Sequence, residues 1–178
     1  MWWLKYGHIL REAREKSYQV VSNVRPRNLL VMCYGNIYRS PIAAAMLTSL
    51  LADSVDVKSA GFHERDGRSS PRDFVALARS YGVQIGQHRS KLVTEEQIAA
   101  ADIIVIMDRW NWTALSQMSE TADDKTVWLG AFDGNATVEI VDPYGKEPST
   151  VVEIVNKIRA AVDDLADRLA TSVGSSAE

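Results

Sequence analysis

Two short runs of apolar residues constrain the fold of this chain more than any other feature of its sequence. Residues 28–33 (Asn-Leu-Leu-Val-Met-Cys) and 102–107 (Asp-Ile-Ile-Val-Ile-Met) each end in five consecutive apolar residues. A strand that is buried on both faces has this pattern, because its side chains point alternately into two packed layers. Residues 55–59 and 126–129 predict two further, shorter strands. The sequence therefore predicts a sheet whose middle strands are covered on both sides.

Helical patterns separate the predicted strands. Ser40 and Pro41 are typical of a helix start, and the Ala- and Leu-rich stretch after them continues to about residue 52. Residues 94–97 have the sequence of a capping box. Further helices are predicted from residue 71 to about 81, from 109 to 118, and from 147 or 148 to about 170. Strands that alternate with helices predict an α/β fold, an open four-stranded parallel sheet with helices on both faces.

The sequence divides into three segments. Residues 28–170 form the predicted domain, a length that is ordinary for one domain. Residues 1–27 form an N-terminal extension with apolar residues at near-helical spacing, which predicts an amphipathic helix that packs on the domain or on a second copy of the chain. A membrane-surface helix is the weaker alternative, because the polar face mixes both signs of charge. Residues 171–178 are predicted to be a flexible tail.

Composition and charge exclude several classes of function. The 178 residues carry a net charge of −3, and without a basic excess nucleic acid is not an expected partner. No stretch reaches the roughly 18 apolar residues of a transmembrane helix, and the N-terminus lacks the pattern of a signal peptide. We therefore expect no membrane span and a cytoplasmic location. One cysteine and three scattered histidines predict neither a disulfide nor a metal site, and no cofactor is expected.

The loop after the first predicted strand contains the residue types expected of an anion-binding site with a nucleophile. Residues 33–41 read Cys-Tyr-Gly-Asn-Ile-Tyr-Arg-Ser-Pro and join a strand to a helix N-terminus, where backbone N–H groups and the helix dipole attract anions. Gly35 and Asn36 are residue types that tolerate a left-handed backbone. Arg39 can hold a phosphate through two parallel hydrogen bonds. The same field favours the thiolate form of Cys33, a nucleophile placed beneath a bound phosphate.

This loop resembles the signature of the low-molecular-weight protein tyrosine phosphatase family, in which cysteine is followed by five residues, arginine and Ser-Pro. The residues that match its fixed positions are Cys33, Gly35, Asn36, Arg39, Ser40 and Pro41. Segments similar to the family also occur at residues 58–61, 81–90, 101–111 and 141–144, so that the resemblance extends from about residue 28 to 170. It implies hydrolysis of phosphotyrosine in proteins, and of small aryl phosphates, through a phosphocysteine intermediate.

The resemblance also implies a role for each matching residue. Cys33 would attack phosphorus, Arg39 would bind the phosphate oxygens, and Asp142 would protonate the leaving oxygen and then activate water. Ser40 would donate a hydrogen bond to the sulfur, and Tyr144 would flank the aromatic ring of the substrate. The other residues expected to bind phosphate or support the loop are Tyr34, Gly35, Ile37, Tyr38 and, in one hydrogen-bonded network, Asn36, Ser59 and His88.

Two positions depart from the family pattern and leave alternatives open. Tyr38 stands where a second cysteine is usual, and Tyr34 is larger than the aliphatic residue common there. One alternative is a protein-arginine phosphatase, although members with that activity tend to carry threonine at the position of Ile37, whose apolar side chain suits an aromatic ring. The others are an arsenate reductase that uses an external thiol, since Cys33 alone cannot relay a disulfide, and a weakly active module that binds phosphorylated partners.

The remaining expectations concern partners and residues outside the loop. The resemblance implies a tyrosine-phosphorylated protein as partner, such as a bacterial tyrosine kinase. Trp110 and Trp112 are predicted to pack or to lie at the surface rather than to bind substrate. Asp102 and Asp108 flank a predicted strand, and their separation along it does not predict a catalytic pair.

Overall fold

A parallel sheet forms the centre of the molecule. The computed structural model describes residues 2–51 and 54–174. The strands are β1 (Asn28–Cys33), β2 (Asp56–Gly61), β3 (Ile103–Ile106) and β4 (Thr126–Trp128), in the spatial order β2-β1-β3-β4. Each pairing between neighbouring strands is parallel. The predicted α/β fold with an open four-stranded parallel sheet is confirmed.

The two apolar runs occupy the middle of this sheet. Leu29 of β1 lies between Val57 of β2 and Ile103 of β3. Every residue of β3, and every residue of β1 after Asn28, is buried. Since successive side chains of a strand point to opposite faces, elements must cover the sheet on both sides. The edge strand β2 has no such run, and its first four residues are exposed or half-buried.

Helices pack around the sheet. Those in the described residues are α1 (Trp2–Asn23), α2 (Arg39–Leu51), α3 (Arg72–Ser80), α4 (Glu95–Ala100), α5 (Arg109–Met118) and α6 (Pro148–Gly174), with 3₁₀ turns at Ala122–Lys125 and Leu129–Phe132. The last helix extends past its predicted end near residue 170, and in its final turns the hydroxyl of Thr171 donates to the carbonyl of Arg168 at 3.0 Å. Residues 175–178 of the predicted tail lie outside the described residues. None of the described helices is long and apolar enough to cross a bilayer.

The N-terminal helix α1 packs against β4 and α6. Val20 and Val21 are buried, and the buried hydroxyl of Ser17 accepts a hydrogen bond from the N–H of Trp128 at 3.0 Å. The phenol of Tyr18 donates to the carbonyl of Ala131, also at 3.0 Å. The helix thus satisfies a backbone donor at the sheet edge while it buries apolar side chains. Self-association through residues 1–27 stays a prediction.

Candidate active site

The predicted phosphate loop lies at the carboxyl end of β1. Cys33 is the last residue of β1 and Arg39 the first of α2, so that residues 34–38 turn from the sheet to a helix N-terminus. The loop borders a cleft of about 530 Å³. The sequence-predicted residues that line this catalytic cleft are Cys33, Tyr34, Gly35, Ile37, Tyr38, Arg39, Asp142 and Tyr144. Its lining is completed by His63, Arg68, Val141 and Lys146.

The sulfur of Cys33 lies at the floor of the cleft among hydrogen-bond donors. Cys33 is only 2% exposed, and the backbone N–H of Asn36 donates to its Sγ at 3.3 Å. The Sγ lies 3.1 Å from the Oγ of Ser40. Because the side-chain amide of Asn36 donates to the same Oγ at 2.9 Å, the hydroxyl proton of Ser40 can go to the sulfur or to the carbonyl oxygen of Ala60, which lies farther away at 3.5 Å. The Asn36 N–H and the Ser40 hydroxyl can thus both donate a hydrogen bond to the sulfur.

Asn36 holds the loop in shape from behind the cleft. It has a left-handed backbone (φ 50°), as its residue type predicted. Its amide nitrogen donates to the Oγ of Ser59 at 3.0 Å, and its Oδ1 accepts from the N–H of Lys91 at 2.9 Å. The Nε2 of His88 lies 2.8 Å from the Asn36 carbonyl oxygen. The structure therefore places Asn36, Ser59 and His88 in the predicted network, although none of them lines the cleft.

Gly35, the other residue type in the loop that tolerates a left-handed backbone, has no positive φ, so that within residues 34–38 only Asn36 turns in that way. A glycine is required at another position, Gly61, because the phosphate loop approaches it closely. A Cβ on Gly61, the last residue of β2, would lie 2.7 Å from the carbonyl oxygen of Tyr34 and 2.9 Å from the Asn36 side chain. Gly61 therefore allows the loop to approach β2, a role that only the folded sheet reveals.

His88 acts in this network as a neutral hydrogen-bond donor. Burial lowers its pKa below the ordinary 6.5, and the nearby charges of Lys91 and Arg89 lower it further, while the Asn36 carbonyl works in the opposite direction. A neutral imidazole that faces a carbonyl oxygen must carry its proton on Nε2. The ring thus fixes the Asn36 carbonyl without adding charge to the site.

Arg39 is a buried, permanently charged group. It is 1% exposed, and its Nη1 donates to Asp108 at 2.6 Å and to the carbonyl of Ile140 at 2.8 Å, while its Nη2 donates to Asp142. Burial works against the charge, but Cys33, Asp142 and Asp108 raise the pKa of Arg39 above its ordinary value. Its Nε is buried with no hydrogen-bond partner. That donor is available to an anion in the cleft.

Asp108 is a site residue that sequence reasoning missed. Its Oδ2 accepts from Arg39, and its Oδ1 accepts from the N–H of Asn111 at 2.9 Å, which caps the start of α5. One carboxylate thus anchors the guanidinium to the helix after β3. The signal in the sequence was its place just beyond the carboxyl end of a buried strand, the same edge of the sheet at which Cys33 lies.

Arg68 was also missed. It comes from the loop between β2 and α3, and its Nη2 donates to the carbonyl of Gly35 at 2.6 Å. With Lys146 it adds positive charge to the lining of the catalytic cleft. No local pattern marks Arg68, because its contact with the phosphate loop spans 33 residues of the chain.

Aromatic side chains form the walls and the rim of the cleft. Tyr38 packs edge to face on Phe74 at 4.8 Å between ring centroids, and burial first, then Asp73, Asp142 and Tyr144, raise its pKa, so that it stays a neutral phenol. Tyr144 is 75% exposed at the cleft mouth. Of the two tryptophans predicted to pack or lie at the surface, Trp110 reaches this rim and contacts Tyr34.

Comparison with known proteins supports the relationship indicated by the loop. Residues 28–175 match the low molecular weight phosphotyrosine protein phosphatase family. The chain is 29% identical over 143 residues to the probable low molecular weight protein-tyrosine-phosphatase EpsP of Ralstonia nicotianae, which covers 80% of this chain and 96% of that protein. It is 30% identical over 145 residues to the protein-arginine-phosphatase of Geobacillus stearothermophilus, which covers 82% of this chain and 95% of that protein.

A solved structure has the same fold. Vibrio vulnificus Wzb in complex with benzylphosphonate superposes with a TM-score of 0.74 at 28% identity, over 80% of this chain and 99% of that one. With the sheet, the loop and the matched residues in agreement, the chain belongs to the low molecular weight phosphotyrosine protein phosphatase family. The matched segment begins at Asn28, so that α1 lies outside it.

Proposed function

We propose that this chain hydrolyses phosphotyrosine in proteins, and small aryl phosphates, through a phosphocysteine intermediate on Cys33. The observation that carries the proposal is the placement of Cys33, Arg39 and Asp142 around one cleft. The sulfur lies within an anion-binding loop, the guanidinium is permanently charged, and the carboxyl group lines the wall. The family match supports the same chemistry.

In the first step the Cys33 thiolate attacks phosphorus, a sulfur–phosphorus bond forms, and the bond from phosphorus to the phenolic oxygen breaks. Arg39 offers its unpartnered Nε and the Nη2 that faces Asp142, so that two parallel donors can take two phosphate oxygens. They stabilise the charge of the transition state together with the backbone N–H groups of the loop. Asp142 in its protonated form donates its proton to the leaving oxygen, which departs as a neutral phenol.

In the second step water attacks the phosphorus of phosphocysteine. Asp142, now a carboxylate, accepts a proton from this water, and the sulfur–phosphorus bond breaks to release inorganic phosphate and the Cys33 thiolate. The hydroxyl of Ser40, 3.1 Å from the sulfur, stabilises the thiolate as it leaves.

The depth and the walls of the cleft favour a phosphotyrosine substrate. Cys33 is nearly inaccessible at the floor, so that a phosphate reaches it only at the end of a long, narrow group. Ile37, Tyr38 and Tyr144 line the path and offer apolar and aromatic surface to a flat ring. Phosphoserine has neither the length nor the ring.

Phosphoarginine is the second candidate substrate, since one relative is a protein-arginine-phosphatase. Its guanidinium is also flat and long enough to reach the floor, and Asp142 could pair with it. The apolar Ile37 in the cleft lining favours an uncharged phenyl ring over a guanidinium. The walls therefore support phosphotyrosine ahead of phosphoarginine.

Three peptides of one sequence that carry phosphotyrosine, phosphoserine or phosphoarginine distinguish these candidates. We expect the highest kcat/KM with phosphotyrosine. A higher value with phosphoarginine would replace the proposed substrate, and binding without turnover of any peptide would favour the phospho-binding module. Arsenate reduction in the presence of an added thiol, without phosphatase activity, would favour the reductase.

The covalent intermediate is tested by rapid quenching during turnover. Mass spectrometry of the peptide that contains Cys33 should show one added phosphoryl group, which the Cys33→Ser variant should lack. The corresponding partner is a tyrosine-phosphorylated protein. That this partner is a bacterial tyrosine kinase, and that the enzyme acts in the cytoplasm, stay predictions from the sequence.

A further inference from the structure

The rim of the catalytic cleft carries a group of rings that the proposed chemistry does not use. This aromatic rim consists of Phe62, Trp110, Tyr34 and His63. Tyr34 and Trp110 meet edge to face at 4.7 Å between centroids, and Phe62 and His63 each extend the cluster at 5.6 Å. Tyr34 and Trp110 are nevertheless 43% and 49% exposed. Rings that are held in place and still face solvent offer a binding surface at a low cost in side-chain entropy.

A second, smaller cleft of about 340 Å³ lies against these rings. Its lining consists of Tyr34, Arg39, Asp108, Trp110 and Asp142. Three of these residues, Tyr34, Arg39 and Asp142, also line the catalytic cleft, so that the two clefts are adjacent. A peptide whose phosphotyrosine enters the catalytic cleft can therefore place a neighbouring side chain over the smaller one.

The smaller cleft favours a positive charge. Its lining has two carboxylates, Asp108 and Asp142, but one cation, Arg39. Arg109 does not line it and is paired with Glu139. A phosphate dianion bound in the loop neutralises the charge of Arg39. The carboxylate of Asp108 then leaves the smaller cleft with a net negative charge, even when Asp142 is protonated.

The rings of the smaller cleft also suit a cation. The face of an indole attracts an ammonium or guanidinium group, and the long apolar stem of lysine or arginine can lie along the ring. The catalytic cleft does not offer the same site, because Arg68 and Lys146 add positive charge to its lining.

We propose that Tyr34, Trp110 and Asp108 form a subsite for a lysine or arginine side chain beside the phosphotyrosine of the substrate, and that Trp110 determines this preference. The proposal rests on the proposed function and names its substrate class more closely: phosphotyrosine with a basic neighbour on one side. Trp110 is a specificity-determining residue here and takes no part in bond making or breaking.

The test uses phosphotyrosine peptides that differ at one position. Lysine, glutamate, phenylalanine or alanine is placed at each of the two positions before and the two after the phosphotyrosine. At one of these positions we expect lysine to raise kcat/KM about two- to fivefold over alanine, the range expected of a cation near a half-exposed indole. Glutamate at that position should lower it, and both differences should shrink as the salt concentration rises.

Trp112 supplies the matched control. It lies two residues later on α5, is 40% exposed, donates its indole N–H to Asp123, and lines neither cleft. Trp110→Ala should abolish the lysine preference and leave the rate with nitrophenyl phosphate near that of the parent enzyme, whereas Trp112→Ala should keep the preference. If Trp110→Ala does not fold, Trp110→Leu, which keeps an apolar side chain without a π face, should also abolish the preference.

Several outcomes would overturn the subsite. These are a lysine preference that survives both Trp110 variants, a preference for phenylalanine or glutamate at the responsive position, equal rates for all peptides, and a uniform loss of rate in Trp110→Ala that marks a structural role. Failure of the proposed function has a different signature, since even the alanine peptide would then not be hydrolysed. In that case the affinities of Cys33→Ser for the same peptides still test the subsite, which requires the lysine peptide to bind more tightly than the alanine peptide.

Discussion

The floor of the catalytic cleft and its rim are built in opposite ways. The floor residues are at most 2% exposed and each is held by hydrogen bonds: Cys33, Arg39 and Ser40. The rim residues are 43% to 75% exposed: Tyr34, Trp110 and Tyr144. In a buried polar network each group depends on its partners, so that one substitution disturbs several contacts. Exposed rings tolerate substitution. We therefore expect the floor residues to determine the rate of the chemical steps and the rim residues to determine which substrates are preferred.

The largest effect should come from the floor nucleophile. Cys33→Ser should lower kcat roughly a thousandfold or more, because a serine hydroxyl is a poorer nucleophile and a poorer leaving group than a thiolate. Inorganic phosphate should still bind, since Arg39 and the backbone donors remain. Steady-state rates with an aryl phosphate and calorimetric phosphate binding provide the measurements. Substantial residual turnover would exclude the covalent mechanism.

Arg39→Lys tests whether the floor needs the shape of the guanidinium as well as its charge. Lysine keeps the charge but cannot reach two phosphate oxygens and Asp108 with a planar fork. We expect kcat/KM to fall on the order of 10²- to 10³-fold, as when one preorganised donor to a transition state is lost. Near-normal kinetics would show that two parallel hydrogen bonds are not what the loop provides.

Asp142→Asn should slow substrates according to their leaving group. In the proposed mechanism tyrosyl phosphate needs a proton from Asp142, and we expect a loss of about 10²-fold or more in kcat. Nitrophenolate leaves with little help, so that nitrophenyl phosphate should lose much less. The ratio of the two rates is the measurement, and equal losses would contradict the assignment of Asp142 as the general acid.

Tyr144→Ala should have a small effect, because this ring is 75% exposed. Loss of one ring contact with the substrate should raise KM for phosphotyrosine about two- to tenfold and leave kcat nearly unchanged. Kinetic constants of the variant with phosphotyrosine and with nitrophenyl phosphate provide the check. A collapse of kcat instead would mean that the rim takes part in the chemistry, and the contrast between floor and rim would no longer hold.

His88 should contribute to the pH dependence of the free energy of unfolding. Burial lowers its pKa in the folded state below the 6.5 of the unfolded chain, so that below about pH 6.5 the unfolded chain takes up a proton that the folded chain resists. The free energy of unfolding should therefore fall as the pH decreases from about 6.5 toward the folded-state pKa, and above this range His88 should contribute no pH dependence. Urea titrations of parent and His88→Gln proteins at several pH values should show a shallower fall in the variant. An identical dependence of the unfolding free energy on pH in the two proteins would show that His88 does not contribute to it.

Prediction from sequence succeeded where the information is local. The run of apolar residues in β1 reports burial on both faces, and residues 33–41 contain the sulfur, the tight turn, the arginine and the helix start within nine positions. The left-handed turn at Asn36 follows from its residue type, whereas Gly35, which tolerates the same conformation, does not adopt it. Asp142, Ser59 and His88 came only from the family resemblance, since none of them has a local pattern that identifies it.

The sequence by itself therefore determined the class of sheet, the anion-binding loop at the end of β1, and the family to which the chain belongs. Tertiary structure decided the rest: Asp108 anchors Arg39 from 69 residues away, Arg68 reaches the carbonyl of Gly35, and Trp110 comes to lie against Tyr34. The physical reason is that parallel strands bring the loops after β1, β2 and β3 to one edge of the sheet. Which side chains meet there depends on register and packing across the whole sheet, and no short segment of sequence contains that information.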